Sequence, residues 1–385
     1  MELVKQGLDR DPLVNNSLID MYAKFGWISE AQEIFDQLSD RNLVSWTSLI
    51  AGYANNGLCD HALICFQRMQ SEGILADIAS WTAIISGYVE HGLNEDALCY
   101  LDKMKLEVDP NGITYICALK ACANLKALNR GQAIHDEIVR REFDKDPVVC
   151  NTLMGMYVTC GSLVDAQDVF DTSTFQDVVS WTTLLAGYCE YGHGKEALEC
   201  FGQMQFEGIL PNTAALVCGL NACGIVGALE RGQEIHLEIE QDGLIENNIL
   251  IGSALMDMYI KCGAFAEAQD MFFDFLVRDV VTWNAIISAY VQCGDEEETC
   301  ECFQRMKCEG VLPDAVTYVC ILQACAESVK VRKGREIHVE ISQKHLEDDV
   351  SISNALIYMY AKCGALENSK GIFDEIPFYD VVSWT

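Results

Sequence analysis

Apolar residues recur along this chain with a helical period. Trp46, Leu49, Ile50 and Tyr53 fall at i, i+3, i+4 and i+7, one stripe of a helix, and Gly57 follows where a helix C-terminus favours left-handed geometry. A second stripe, Ala62, Phe66 and Met69, ends at Gly73. The same slots return from Val178: Trp181 opens the first stripe, and Ala197, Phe201, Met204 and Gly208 form the second, with Pro211 after it. The stretch D-V-V-S-W-T-T-L-L-A-G-Y-C-E-Y-G, 177 to 192, matches N-L-V-S-W-T-S-L-I-A-G-Y-A-N-N-G from Asn42 and D-V-V-T-W-N-A-I-I-S-A-Y-V-Q-C-G from Asp279. Each unit therefore predicts a helical hairpin. One hairpin cannot bury both stripes, so neighbours must stack on a shared core.

Aligned on these landmarks, the units fall into three kinds. Units 43–77, 78–111, 178–212 and 280–314 carry the Trp motif. Units 112–146, 213–248 and 315–349 carry G-x-x-I-H, in A-L-N-R-G-Q-A-I-H, A-L-E-R-G-Q-E-I-H and V-R-K-G-R-E-I-H. Units 12–42, 147–177, 249–279 and 350–380 are shorter and share L-x-x-M-Y. Residues 1–11 and 381–385 read as parts of two further units, so the chain is expected to be a fragment of a longer array.

Composition narrows the picture. No window of about 18 uninterrupted apolar residues exists, so no helix is expected to cross a membrane. The 19 cysteines lack any C-x-x-C, and they recur at unit positions, Cys122, Cys223 and Cys325 at one and Cys160, Cys262 and Cys363 at another. They read as small packing residues in a reducing compartment, with no metal or other cofactor expected. No targeting segment is visible at the N-terminus. With 58 acidic against 26 basic side chains the net charge is −32, a field that repels nucleic acid and anionic membranes at long range.

Alternating units of these lengths and signatures resemble the PLS class of pentatricopeptide repeat proteins: the Trp-bearing units are similar to its P type, the G-x-x-I-H units to its L type and the shorter units to its S type. On that resemblance 1–11 is a partial L-type unit and 381–385 a truncated P-type unit. The 34-residue tetratricopeptide repeat overlaps the pattern but needs Gly where Ile50, Leu185 and Ile287 stand here. The resemblance implies an all-α, right-handed superhelical solenoid of stacked hairpins. It also implies location in a mitochondrion or chloroplast, in an RNA-editing or RNA-processing factor.

Two apparent catalytic motifs fail on inspection. His135 and Glu137, His236 and Glu238, and His338 and Glu340 each spell H-x-E, the opening of a zinc deaminase site, but the completing P-C-x-x-C is absent. The histidines read as packing between helices and the glutamates as exposed. G-Y-C-E-Y-G-H-G-K, 187–195, lacks the lysine of a phosphate loop. The chain is expected not to be an enzyme.

The resemblance implies recognition of single-stranded RNA at one base per unit, by the fifth and the last residue of each. Those pairs are Asn16 with Asn42, Thr47 with Asp77, Thr82 with Asn111, Asn151 with Asp177, Thr182 with Asn212, Ser253 with Asp279, Asn284 with Asp314 and Asn354 with Asp380. Leu13, Val44, Val148, Val179, Leu250 and Val281 would sandwich the bases. Hydroxyls, amides and carboxylates suit the hydrogen-bonding edge of a base. The competing reading is that these residues merely cap helices. Ile116, Val217 and Val319 at the fifth position of the L-type units should not discriminate, and the family assigns such units to docking small accessory editing factors. The family's pair rules give the order C/U, G, A, any, U, A, any, G, U, any, U, then a purine. Against this stand the acidic charge and the scarcity of basic groups beyond Arg130, Arg231, Arg332, Lys333 and Arg335. The alternative function is a helical-repeat scaffold for protein–protein interaction, and a binding assay with matched and scrambled RNA separates the two.

Overall fold

The structure, a computed structural model, describes residues 12–375 apart from 39, 245–247, 275–277, 345 and 347–348. The partial units at both ends and Asp380 lie outside the described residues. The chain divides into two compact bodies, Met1–Tyr191 and Gly192–Thr385. The described residues are helical, with no strand among them.

In the first body the helices are α1 (Pro12–Lys24), α2 (Ile28–Gln37), α3 (Leu43–Asn55), α4 (Cys59–Ser71), α5 (Ile78–Glu90), α6 (Asn94–Glu107), α7 (Gly112–Leu125), α8 (Leu128–Arg140), α9 (Pro147–Thr159), α10 (Leu163–Thr172) and α11 (Val178–Glu190). The second holds α12 (Gly194–Phe206), α13 (Thr213–Val226), α14 (Leu229–Gln241), α15 (Ile249–Lys261), α16 (Phe265–Asp274), α17 (Val280–Cys293), α18 (Glu296–Cys308), α19 (Ala315–Glu327), α20 (Val331–Gln343), α21 (Val350–Lys362) and α22 (Leu366–Glu375). Odd-numbered helices open the hairpins and even-numbered helices close them. Within each body consecutive opening helices pack on one another, and each closing helix packs on the opening helices before and after it. This is an all-α stack of helix-turn-helix hairpins in each body.

Close approach of the opening helices explains the small residue before the motif tyrosine. A Cβ on Gly87 of α5 would lie 2.4 Å from the Cβ and 3.0 Å from the Cα of Ala54 in α3. The Trp motif explains the next contact. Trp46, Trp81, Trp181 and Trp283 each meet, edge to face, the phenylalanine of the preceding closing helix: Phe35, Phe66, Phe170 and Phe272, at 4.6, 4.6, 4.5 and 4.7 Å between ring centroids. The third contact joins two motifs. A Cβ on Gly131, Gly232 or Gly334 would lie 2.4 Å from the Sδ of Met156, Met258 or Met359, the methionine of L-x-x-M-Y in the next hairpin.

These contacts predict an asymmetry between two alanine substitutions. Gly87→Ala drives a methyl against a helix backbone that cannot move aside, and is expected to cost about 1–3 kcal/mol. Gly131→Ala meets only the end of a flexible methionine and gains about 1 kcal/mol of helix propensity, so its net effect should be smaller. Urea unfolding of the two variants checks the order.

Candidate nucleic-acid interface

The residues that close each unit start the next opening helix. Asn42, Asp77, Asn111, Asp177, Asn212, Asp279 and Asp314 are N-caps, and a side-chain oxygen of each accepts the backbone N–H three residues on, at 2.8–3.0 Å. Asp146, Asn248 and Asp349, at the end of the G-x-x-I-H units, cap in the same way. Capping thus accounts for the last residues, since four orphan N–H groups at each helix start demand acceptors. It does not account for the fifth residues, which lie inside the first turns of the opening helices.

The fifth residues are half-buried, except Asn16, which is buried. Two of them reach the cap that follows: Asn151 Nδ2 donates to Asp177 Oδ1 at 3.4 Å, and Asn284 Nδ2 to Asp314 Oδ1 at 2.9 Å. Thr82 Oγ1 lies 2.9 Å from Thr114 Oγ1, and Thr182 Oγ1 donates back to the Val178 carbonyl at 2.6 Å. The Thr47 hydroxyl is buried with no hydrogen-bond partner in the protein. Thr182 and Asn212 belong to different bodies, and the partner of Asn354, Asp380, is outside the described residues.

Burial would raise the carboxyls of Asp177 and Asp314. The N–H groups of Ser180 and Thr317 and the amides of Asn151 and Asn284 outweigh it, and hold both below the usual carboxylate range. Both are therefore ionised at neutral pH and purely acceptors.

Alongside the polar positions runs a row of exposed apolar side chains at the second residue of the opening helices. Leu13, Val44, Val148, Val179, Leu250 and Val281 are all at least half exposed, from 50% at Val179 to 77% at Leu13. Ile113 and Val316 hold the same position in two of the G-x-x-I-H hairpins and are exposed as well.

The charge is unevenly placed. Opening helices α3, α9, α13 and α17 carry no charged residue, and the acid–base pairs on α1 and α15, Asp20–Lys24 and Asp257–Lys261, close at 2.7 Å. The acidic residues concentrate on closing helices such as α14 and α18. The basic groups noted in the sequence are on closing helices too, where Arg130 pairs with Asp102, Arg231 with Glu234 and Lys333 with Glu336. The opening helices are thus poor in charge apart from the carboxylates at their N-caps, and the closing helices carry most of the acidic side chains among the described residues.

The histidines pack between hairpins. His135, His236 and His338 place Nδ1 2.8, 2.8 and 3.0 Å from the hydroxyls of Tyr157, Tyr259 and Tyr360 in the next opening helix. The glutamates two residues on are not exposed as the sequence suggested. Glu137 pairs with Lys105 of the preceding hairpin, Glu340 with Lys307 at 2.8 Å, and Glu238 accepts from Gln205 at 2.9 Å. A turn of closing helix brings the lysine or glutamine of one hairpin beside the acid of the next, a contact that helical period alone does not reveal. Among the cysteines, Cys122, Cys223 and Cys325 are fully buried, and burial pushes their thiols up to about 11, 11 and 12, so they pack as neutral groups.

Stacked two-helix hairpins of this kind, recurring at about 31–36 residues, are the architecture of a helical-repeat protein. The chain belongs to the pentatricopeptide repeat family. Family models match residues 176–224 and 278–327 (PPR repeat family), 16–43, 44–74 and 351–379 (PPR repeat) and 64–125 (pentatricopeptide repeat domain). It is 33% identical to a chloroplastic pentatricopeptide repeat-containing protein of Arabidopsis thaliana, over 99% of this chain and 56% of that one. It is 32% identical to a mitochondrial one of the same plant, over 97% of this chain and 50% of that one. The chain thus spans about half the length of these relatives. Among solved structures it resembles the maize pentatricopeptide repeat protein PPR10, with a TM-score of 0.64 at 19% identity, covering 99% of this chain and 61% of that one.

Proposed function

We propose that the chain binds single-stranded RNA sequence-selectively, about one base per hairpin. The observation that carries this is the pairing of an ionised cap with a fifth-position amide beside an exposed apolar residue, seen at Asn151–Asp177 and Asn284–Asp314. The amide and carboxylate offer a fixed donor and acceptor set to a base edge, and the apolar residues flank its faces. PPR10, whose fold this chain shares, has been solved in complex with an 18-nucleotide psaJ RNA element, with a TM-score of 0.55. Its sequence is only 18% identical, so its RNA is not carried over.

The remaining assignments are part of the same reading. The three kinds of hairpin are the P, L and S units of a PLS-class array, with base-reading pairs as given for the eight polar units. The L-type hairpins are spacers or docking sites for small accessory editing factors. The protein acts in RNA editing or processing in an organelle, in keeping with relatives named chloroplastic and mitochondrial.

A single exchange tests the pair reading. Thr182→Asn, in the hairpin that ends at Asn212, is expected to move the sixth base from A towards C or U, by about 1 kcal/mol of discrimination. Shift assays with the four sixth-base variants read this out. An unchanged preference would contradict base reading by the fifth residue.

A further inference from the structure

The third residue of each opening helix carries information that the pair alone does not. Behind a polar fifth residue in one hairpin, the third residue of the next is Ser45, Ser80, Thr114, Ser180, Thr282 or Thr317. Ala215 is the exception, after Thr182. Behind the apolar fifth residues Ile116, Val217 and Val319 it is Val149, Ile251 or Ile352. All six hydroxyl residues are buried, at 2% exposure or less. Most buried hydroxyls in folded proteins have hydrogen-bond partners.

The partners are the reading residues. Thr317 Oγ1 lies 2.5 Å from Asn284 Oδ1 and 2.9 Å from Asp314 Oδ1, and accepts the Asp314 N–H at 3.2 Å. Its one proton, given to Asn284 Oδ1, pins that end of the amide, while Nδ2 is pinned by Asp314. The amide then has one free N–H and one free lone pair left, in a fixed orientation. Thr114 Oγ1 links Thr82 Oγ1 and Asn111 Oδ1, each at 2.9 Å. Ser80 reaches Asp77 Oδ1 at 2.8 Å, whereas Ser45, Ser180 and Thr282 donate first to the backbone carbonyls of Asn42, Asp177 and Asp279 at 2.7, 2.8 and 2.9 Å, with the carboxylates of Asp177 and Asp279 at 3.2 and 3.0 Å.

We propose that the buried hydroxyl at the third residue of the following hairpin is a positioning residue for base selection, which locks the fifth and last residues of the preceding hairpin into one hydrogen-bonding pattern. The inference rests on the pair reading above. It assigns selectivity to three side chains from two hairpins, so a hairpin's preference depends on its C-terminal neighbour.

The test uses the full chain and RNAs varied at the ninth base, U against C, and at the fifth base as control. Wild type is expected to prefer U at the ninth base by about tenfold. Thr317→Val keeps the volume and removes the hydroxyl. It should reduce that ratio to about twofold while leaving the ratio at the fifth base unchanged, and Thr317→Ser should restore it. Thr317→Val with an undiminished ninth-base ratio, or with both ratios reduced alike, overturns the inference. Wild type indifferent at the ninth base overturns the pair reading itself and this inference with it.

Discussion

Replacing Trp181 by alanine is expected to destabilise the array by about 3–5 kcal/mol, the range for deleting a buried aromatic. The indole is 3% exposed and lies with its centroid 4.5 Å from that of Phe170, the two planes at 71°. That contact joins hairpin 147–177 to the opening helix α11, so its loss weakens an interface between repeats as well as a core. In a stacked array, stability is a sum of repeat terms and nearest-neighbour terms. Cutting one neighbour term should therefore broaden or split the unfolding transition. Trp181→Phe, which retains a ring against Phe170, should cost markedly less. Urea titration followed by circular dichroism checks both. A single transition with an unmoved midpoint in Trp181→Ala would contradict this role.

The hairpins were legible because Trp46, Leu49, Ile50 and Tyr53 repeat at helical spacing and Gly57 marks the stop; the structure places them in α3 and in the turn after it. The period reports which face is buried, and not which neighbour covers it. Hence the edge contact of Trp181 with Phe170 and the seat of Met156 over Gly131 emerged only from the stack. The same limit hid the lysines that cover Glu137 and Glu340. Of the candidate interface, the polar identity of the fifth and last residues was readable. Two features were not. The bonds from the Thr114 and Thr317 hydroxyls to the caps Asn111 and Asp314 were hidden, because residue types name capping candidates but do not say which neighbouring side chain engages them. The uneven charge was also invisible in a net value of −32, which sums closing and opening helices alike.

That unevenness shapes the second large effect. With opening helices α3, α9, α13 and α17 free of charged residues, few phosphates can be neutralised, and affinity must come from base contacts and apolar packing. RNA of the order C/U, G, A, any, U, A, any, G, U, any, U should bind at least about a hundredfold more tightly than a scrambled RNA of equal composition. Even at about 1 kcal/mol per mismatched base, a few mismatches suffice for that ratio. The salt dependence should be shallow, with a log–log slope no steeper than about −3. A steep slope with little sequence preference would describe a basic-patch binder, which the acidic closing helices oppose.

The measurement that bears most directly on RNA reading is the dissociation constant of the purified chain for the matched and the scrambled RNA, taken by fluorescence anisotropy at one fixed salt concentration. Tight binding of the matched RNA with at least about a hundredfold weaker binding of the scrambled one is the result expected of a base-reading array. Equal affinity for both, or no binding to either, would contradict it and favour a protein-binding scaffold.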